Sequence, residues 1–145
     1  MGEITVEVLR RGTDDTARAI SKLLPQLSSS APEFTTAQLT ELLGDDHITL
    51  FVARADDDIV GMLTLVTYVI PTGKRARIED VVVDESARGR GVAFALTEAA
   101  ITTSRESGAR TLDLTSRPDR ESANRLYQRA GFNPRNSVTY RQVLH

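Results

Sequence analysis

Apolar and polar side chains alternate along Ile4-Thr5-Val6-Glu7-Val8-Leu9-Arg10, the period of a half-buried strand. The period then lengthens. Gly12-Thr13-Asp14-Asp15 supplies helix-start residues, and Ala17, Ile20, Leu23, Leu24 and Leu27 recur at helical spacing. Pro25 should kink or end that helix, because it has no N–H to give. Ser28-Ser29-Ser30-Ala31-Pro32 reads as a loop, and Thr35 or Thr36 caps a second short helix whose Leu39, Leu42 and Leu43 face inward, closing at Gly44. Two strands follow, 48–55 and 59–68, joined by Asp56-Asp57-Asp58 as a hairpin. Pro71-Thr72-Gly73 turns the chain into a third run, 75–83, whose end Val81-Val82-Val83 is continuous and β-branched, as for a strand covered on both faces. Val92, Ala95, Leu96, Ala99 and Ala100 then form a small-residue helical face that ends near Gly108. A strand at 111–115, a helix at 122–130 and a last strand at 138–144 complete the order βααβββαβαβ. This predicts an α/β (α+β) fold with one mixed sheet and helices on both faces, built as a single domain over 1–145.

Composition narrows the chemistry more than the fold. With 145 residues the chain can bury one sizeable core. A formal net charge of −2 steers it toward neither nucleic acid nor an anionic membrane. No apolar run approaches the roughly 20 residues of a membrane span. Met1-Gly2-Glu3 leads directly into the alternating segment rather than into a signal peptide, so a cytosolic (cytoplasmic) protein is expected. The absence of cysteine excludes disulfides, thiol nucleophiles, zinc–thiolate sites and acyl-cysteine relays. His47 and His145 are the only histidines and lack ligand spacing, so no metal is expected. Acid–base work falls to carboxylates, tyrosine, lysine or ordered water.

One segment carries an anion-binding pattern. Arg88-Gly89-Arg90-Gly91-Val92-Ala93 lies between a buried strand and a helix start, where unpaired N–H groups and a partial positive charge collect. Glycines admit a bulky anion to the backbone, and arginines add donors that match phosphate oxygens. A solvated strand-to-helix turn would satisfy the same pattern. The Gly-Lys-Ser/Thr ending of a nucleotide P-loop is absent. A dinucleotide turn is disfavoured by Phe94 at the third glycine position, and by the five-residue spacer 84–88 between strand and first glycine.

These residues resemble the GNAT superfamily of acyl-CoA-dependent N-acetyltransferases. The family's central motif is a strand, then Arg/Gln-x-x-Gly-x-Gly/Ala, then a helix, matched by Arg88, Gly91 and Ala93. Its later segment, an Asn and a Tyr on a helix before Gly-Phe, is matched by Asn124, Tyr127, Gly131 and Phe132. The resemblance implies acetyl-CoA as acyl donor, with the coenzyme A pyrophosphate on the N–H groups of Arg88, Gly89, Arg90, Gly91, Val92 and Ala93. It also implies that the pantetheine runs as an added strand along Val81, Val82 and Val83 at a local bulge.

Direct attack of a small-molecule or peptide amine on the thioester is expected over a covalent relay, since the chain has no cysteine and only two histidines. Glu79, in Arg77-Ile78-Glu79-Asp80-Val81-Val82, is the expected general base, a surface ion pair with Arg75 or Arg77 being its structural alternative. Asp80 points to the other face of a regular strand, as a hydrogen-bonded structural acid or one that orients the substrate; a bulge would reverse the two roles. The resemblance makes Tyr127 the general acid toward the coenzyme A sulfur and Asn124 a partner of pantetheine or water. The oxyanion donor is expected at the backbone N–H of Val81 or Val82. Phe34 with residues 28–33, Tyr68, Ser116 and Arg117 are candidates to line the acceptor pocket. A non-catalytic coenzyme A-binding or sensing domain on the same fold is the alternative. A nucleic-acid module is disfavoured by the low net charge and sparse aromatics. The last strand would offer an edge for a homodimer; a monomer is equally compatible.

Overall fold

The computed structural model describes residues 3–145, and the signal-peptide reading at Met1-Gly2 lies outside them. Two compact units are present, Met1–Thr115 and Ser116–His145. The first contains β1 (Ile4–Val8), α1 (Asp14–Leu27), α2 (Thr36–Leu43), β2 (Ile48–Ala55), β3 (Asp58–Ile70), β4 (Gly73–Val83), a 3-10 turn at Glu85–Ala87, α3 (Val92–Glu106) and β5 (Leu112–Asp113). The second contains α4 (Glu121–Arg129).

The strands form one sheet in the order β1-β2-β3-β4-β5, antiparallel from β1 to β4 and parallel between β4 and β5. The predicted α/β fold with a mixed sheet and flanking helices is therefore present. On one face Leu50, Val52, Met62 and Val82 join Ala17, Ile20, Leu23 and Leu39 of α1 and α2 in a single buried cluster. On the other, Gly61 lies beside Val92 and Leu96 of α3. Thr13 and Thr35 start the first two helices through reciprocal capping boxes, each side chain satisfying an otherwise orphaned N–H. α1 runs only two residues past Pro25, as expected for a residue that leaves a carbonyl without its donor.

Three sequence expectations are corrected. β5 holds two residues rather than the run 111–115, because its ladder with β4 consists of Ala76↔Leu112 and Arg77↔Asp113 only. The run Val81-Val82-Val83 is not a regular strand covered on both faces. Only Val82 is buried, and a bulge interrupts the ladder just ahead of it. Residues 138–144 form no strand. Val138, Tyr140, Val143 and Leu144 are between 73% and 91% exposed, so no burial offsets the entropy of ordering them in a ladder. The edge expected to invite a homodimer is thus not formed.

Candidate active site

The bulge in β4 determines the geometry of the first unit's site. Glu79 pairs with Thr64 and Val82 with Met62, so three steps on β4 oppose two on β3. The extra residue is taken up at Asp80, whose φ of +49° is left-handed, a conformation an aspartate tolerates better than most side chains. The bulge reverses the phase of the strand, and Val82 therefore joins the α1–α2 core instead of facing α3. Past Arg77, β4 also has no ladder with β5, so residues 78–83 present an unpaired edge on that side.

The two carboxylates at the bulge differ. Glu79 is held by Arg77, whose Nε donates to Oε2 at 2.6 Å, while the same guanidinium donates to Thr115 Oγ1 at 2.5 Å. This is the ion pair that the sequence offered as an alternative role for Glu79. Among the described residues the Asp80 side chain makes no hydrogen bond or ion pair. Its side chain reaches the surface, yet the surrounding protein removes enough solvent to raise its carboxyl above the ordinary value, and the negative charge of Glu79 adds to the rise.

Beyond β4 the chain enters the glycine turn. Gly89 and Gly91 both have φ of +77°, with open space where a Cβ would stand, so backbone conformation rather than crowding calls for glycine. Gly91 is the N-cap of α3 and makes no side-chain cap. The Ala95 N–H bonds the Gly91 carbonyl at 3.0 Å, and among the described residues the N–H groups of Val92 and Ala93 have no hydrogen-bond partner, which leaves them for an anion. Arg88 lies exposed at the mouth of this turn, its Nε donating to the Val83 carbonyl at 3.3 Å.

Tyr68 is half-buried on β3 opposite Arg75, which donates to Thr111 and Thr72 hydroxyls at 3.2 and 2.9 Å. Phe34 packs against the α1–α2 core, and its backbone is fastened by Ser21.

The second unit keeps its own candidates together. Phe132 N–H bonds Tyr127 O at 2.9 Å and Gly131 N–H bonds Gln128 O at 3.0 Å, which is the Schellman pattern. The apolar contact of that motif is the edge-to-face pair Tyr127–Phe132, 6.0 Å between centroids. Burial raises the Tyr127 phenol above its ordinary value and the Arg120 charge partly opposes it, so the hydroxyl keeps its proton through neutral pH. Asn124 Nδ2 donates to the Arg117 carbonyl at 3.0 Å, and Ser116 Oγ is buried without a hydrogen-bond partner. Arg117 is exposed beside Asp119.

The family model described as "Acetyltransferase (GNAT) family" matches residues 17–132. The chain belongs to the GNAT family. Two curated relatives are both from Oryza sativa subsp. japonica. "Glucosamine 6-phosphate N-acetyltransferase 1" is 31% identical over 134 residues, 84% of this chain and 78% of the relative. "Probable glucosamine 6-phosphate N-acetyltransferase 2" is 28% identical over 140 residues, 88% and 82% of the two chains. Among solved structures, aminoglycoside N-acetyltransferase AAC(6')-Iy in complex with CoA superposes with a TM-score of 0.80 at 23% identity, covering 98% of this chain and 96% of that one, which shows the shared fold. As a GNAT protein with named N-acetyltransferase relatives, the chain is an acetyl-CoA-dependent N-acetyltransferase.

Sequence reasoning missed the hydrogen bonds of Gln26 and Asp84 beside the glycine turn. Asp84 carries a legible signal, since Asp-x-Ser favours an Asx turn, and here it caps the 3-10 turn through Ser86. Gln26 reaches Asp84 from 58 residues away, and no local pattern encodes such a contact.

Proposed function

We propose that this GNAT enzyme transfers the acetyl group of acetyl-CoA to the primary amine of a phosphorylated amino sugar by direct attack, with Asp80 as general base. The observation that carries the reading is the conjunction on β4: the edge beyond Arg77 is unpaired, the strand bulges at Asp80, and α3 begins with uncapped N–H groups a few residues later. An extended pantetheine arm suits the edge along Val81, Val82 and Val83, and a pyrophosphate suits the turn from Arg88 to Ala93. When bound, acetyl-CoA supplies the acyl group as a thioester.

Asp80 is favoured over Glu79 because it is unpartnered and its affinity for a proton is raised, both of which suit a base that takes a proton from an ammonium group. Glu79, tied to Arg77, holds the ammonium of the acceptor near the bulge. The N–H of Val81 or Val82 donates to the thioester oxygen. Tyr127, as the family's motif assigns it, returns a proton to the departing sulfur, and Asn124 orients it through water. Residues 1–145 act as one catalytic domain, consistent with a family match that runs unbroken through 17–132.

The acceptor class rests on the relatives named for glucosamine 6-phosphate and on Arg75. Among the described residues that guanidinium is bonded to two hydroxyls and to no carboxylate, so its charge is available to a phosphate. Tyr68, its cross-strand neighbour on β3, completes the lining proposed for this unit. The test is thiol release from acetyl-CoA with glucosamine 6-phosphate, glucosamine and an aminoglycoside. We expect kcat/KM for the phosphorylated sugar to exceed that for glucosamine by at least about tenfold, the scale of one charge-assisted contact. Equal rates for the two sugars would remove the phosphate from the proposal.

A further inference from the structure

We propose that Gln26 of α1 is a positioning residue for the coenzyme A pyrophosphate, acting through the 84–88 loop and Arg88. The inference rests on reading residues 88–93 as the pyrophosphate cradle. Glu85, Ser86 and Arg88 are exposed, and the buried methyl of Ala87 is the loop's only anchor of apolar kind. Polar contacts must do the rest. Within the loop they are local: Asp84 Oδ2 accepts from the Ser86 N–H at 3.0 Å and from the Ser86 hydroxyl. Two ties reach other elements: the Asp84 N–H, which donates to the Val60 carbonyl of β3 at 2.8 Å, and, on the side-chain side, the Gln26 amide. Its Nε2 donates to Asp84 Oδ1 at 2.8 Å, and its Oε1 accepts from the Glu85 N–H at 3.1 Å and from Arg88 Nη2 at 3.5 Å.

The chemistry of this choice is specific. Both acceptors that orient Arg88, the Val83 carbonyl and the Gln26 amide oxygen, are neutral. The guanidinium is thus held in place by neutral acceptors and, among the described residues, makes no direct ion pair, although the nearby Asp84 carboxylate feels its charge; its donors stay open to a phosphate. A carboxylate at position 26 would orient Arg88 equally well, but would neutralise it and repel both Asp84 and the phosphates. An apolar side chain would free the loop and leave Asp84 Oδ1 without its donor. An amide alone satisfies the donor and acceptor demands together.

Calorimetric titration with coenzyme A and with pantetheine, which lacks the pyrophosphate, tests this on the full chain. For folded Gln26→Leu we expect coenzyme A to bind about tenfold more weakly, with pantetheine affinity unchanged within twofold. Combined with Arg88→Ala, it should add less than its own factor, because both act on one contact. Gln26→Asn, which keeps the amide but withdraws it by one methylene, should weaken coenzyme A in the same direction and serves if the leucine variant fails to fold. In turnover assays the loss should fall on KM for acetyl-CoA, with kcat held. Unchanged coenzyme A binding by a folded variant, or an equal loss of pantetheine, would overturn the role of Gln26 alone. A wild type that binds coenzyme A no tighter than pantetheine would overturn the cradle reading, and this inference with it.

Discussion

The two halves of β4 use the same kinds of residue to different ends. From Gly73 to Glu79 the strand is paired with β3, touches β5 at Ala76 and Arg77, and fastens its charges: Arg75 to two threonines, Arg77 to Glu79 and Thr115. From Asp80 to Val83 the ladder slips, the β5 side is unpaired, and an acidic side chain stands without a partner. Regular hydrogen bonding satisfies the first half and leaves little for a ligand. The second half has unspent backbone groups and a carboxylate whose proton affinity is raised, the two features on which the proposed site rests.

The contrast between Asp80 and Glu79 is open to direct attack. Asp80→Asn should lower kcat by about 10²–10⁴-fold, the range for loss of a general base. The same change should leave the melting temperature equal or higher. A carboxyl raised in the folded state contributes stability below its unfolded pKa and loses it as pH rises through the folded value, so at neutral pH the asparagine removes a penalty. A large drop in melting temperature would mean that Asp80 is structural.

Tyr127→Phe comes next, with a kcat loss of about 10²-fold at the lower end of acid–base contributions and little change in stability, since the Phe132 contact survives. An unaltered kcat would return Tyr127 to a purely packing role. Gly91→Ala sharpens the link from β4 to the turn: a side chain at φ +77° costs about 1–2 kcal/mol, to be read from denaturant unfolding, and KM for acetyl-CoA should rise with it. The smallest effect belongs to the fastened half. Arg77→Gln should cost under about 1 kcal/mol, as partly exposed ion pairs do, and change kcat by no more than a few fold.

The same contrast explains what the sequence reveals. Strands 48–55 and 59–68 are legible because alternation and the aspartate-rich turn agree with the ladder they form. The glycine turn before α3 is legible because left-handed glycines ahead of a helix leave a local signature. The family resemblance implies a bulge here but not its placement at Asp80, because bulge and regular strand share the string Glu-Asp-Val-Val-Val. Only the demand that Val82 reach the α1–α2 core, set by Met62 and Leu23 far away in sequence, places the extra residue. Gln26 is silent for the same reason. Residues 138–144 fail in the opposite sense, since their apolar content suits a strand that finds no ladder.

The central claim is that the base is Asp80, and the pH dependence of kcat/KM for one amine across wild type, Glu79→Gln and Asp80→Asn tests it most directly. Wild type should lose activity as acid protonates Asp80, at a pH above that of an ordinary aspartate. In Glu79→Gln that limb should persist and move to lower pH, because the neighbouring negative charge that helps raise Asp80 has gone. In Asp80→Asn the limb should vanish with most of the activity. The limb disappearing in Glu79→Gln and surviving in Asp80→Asn would contradict the assignment.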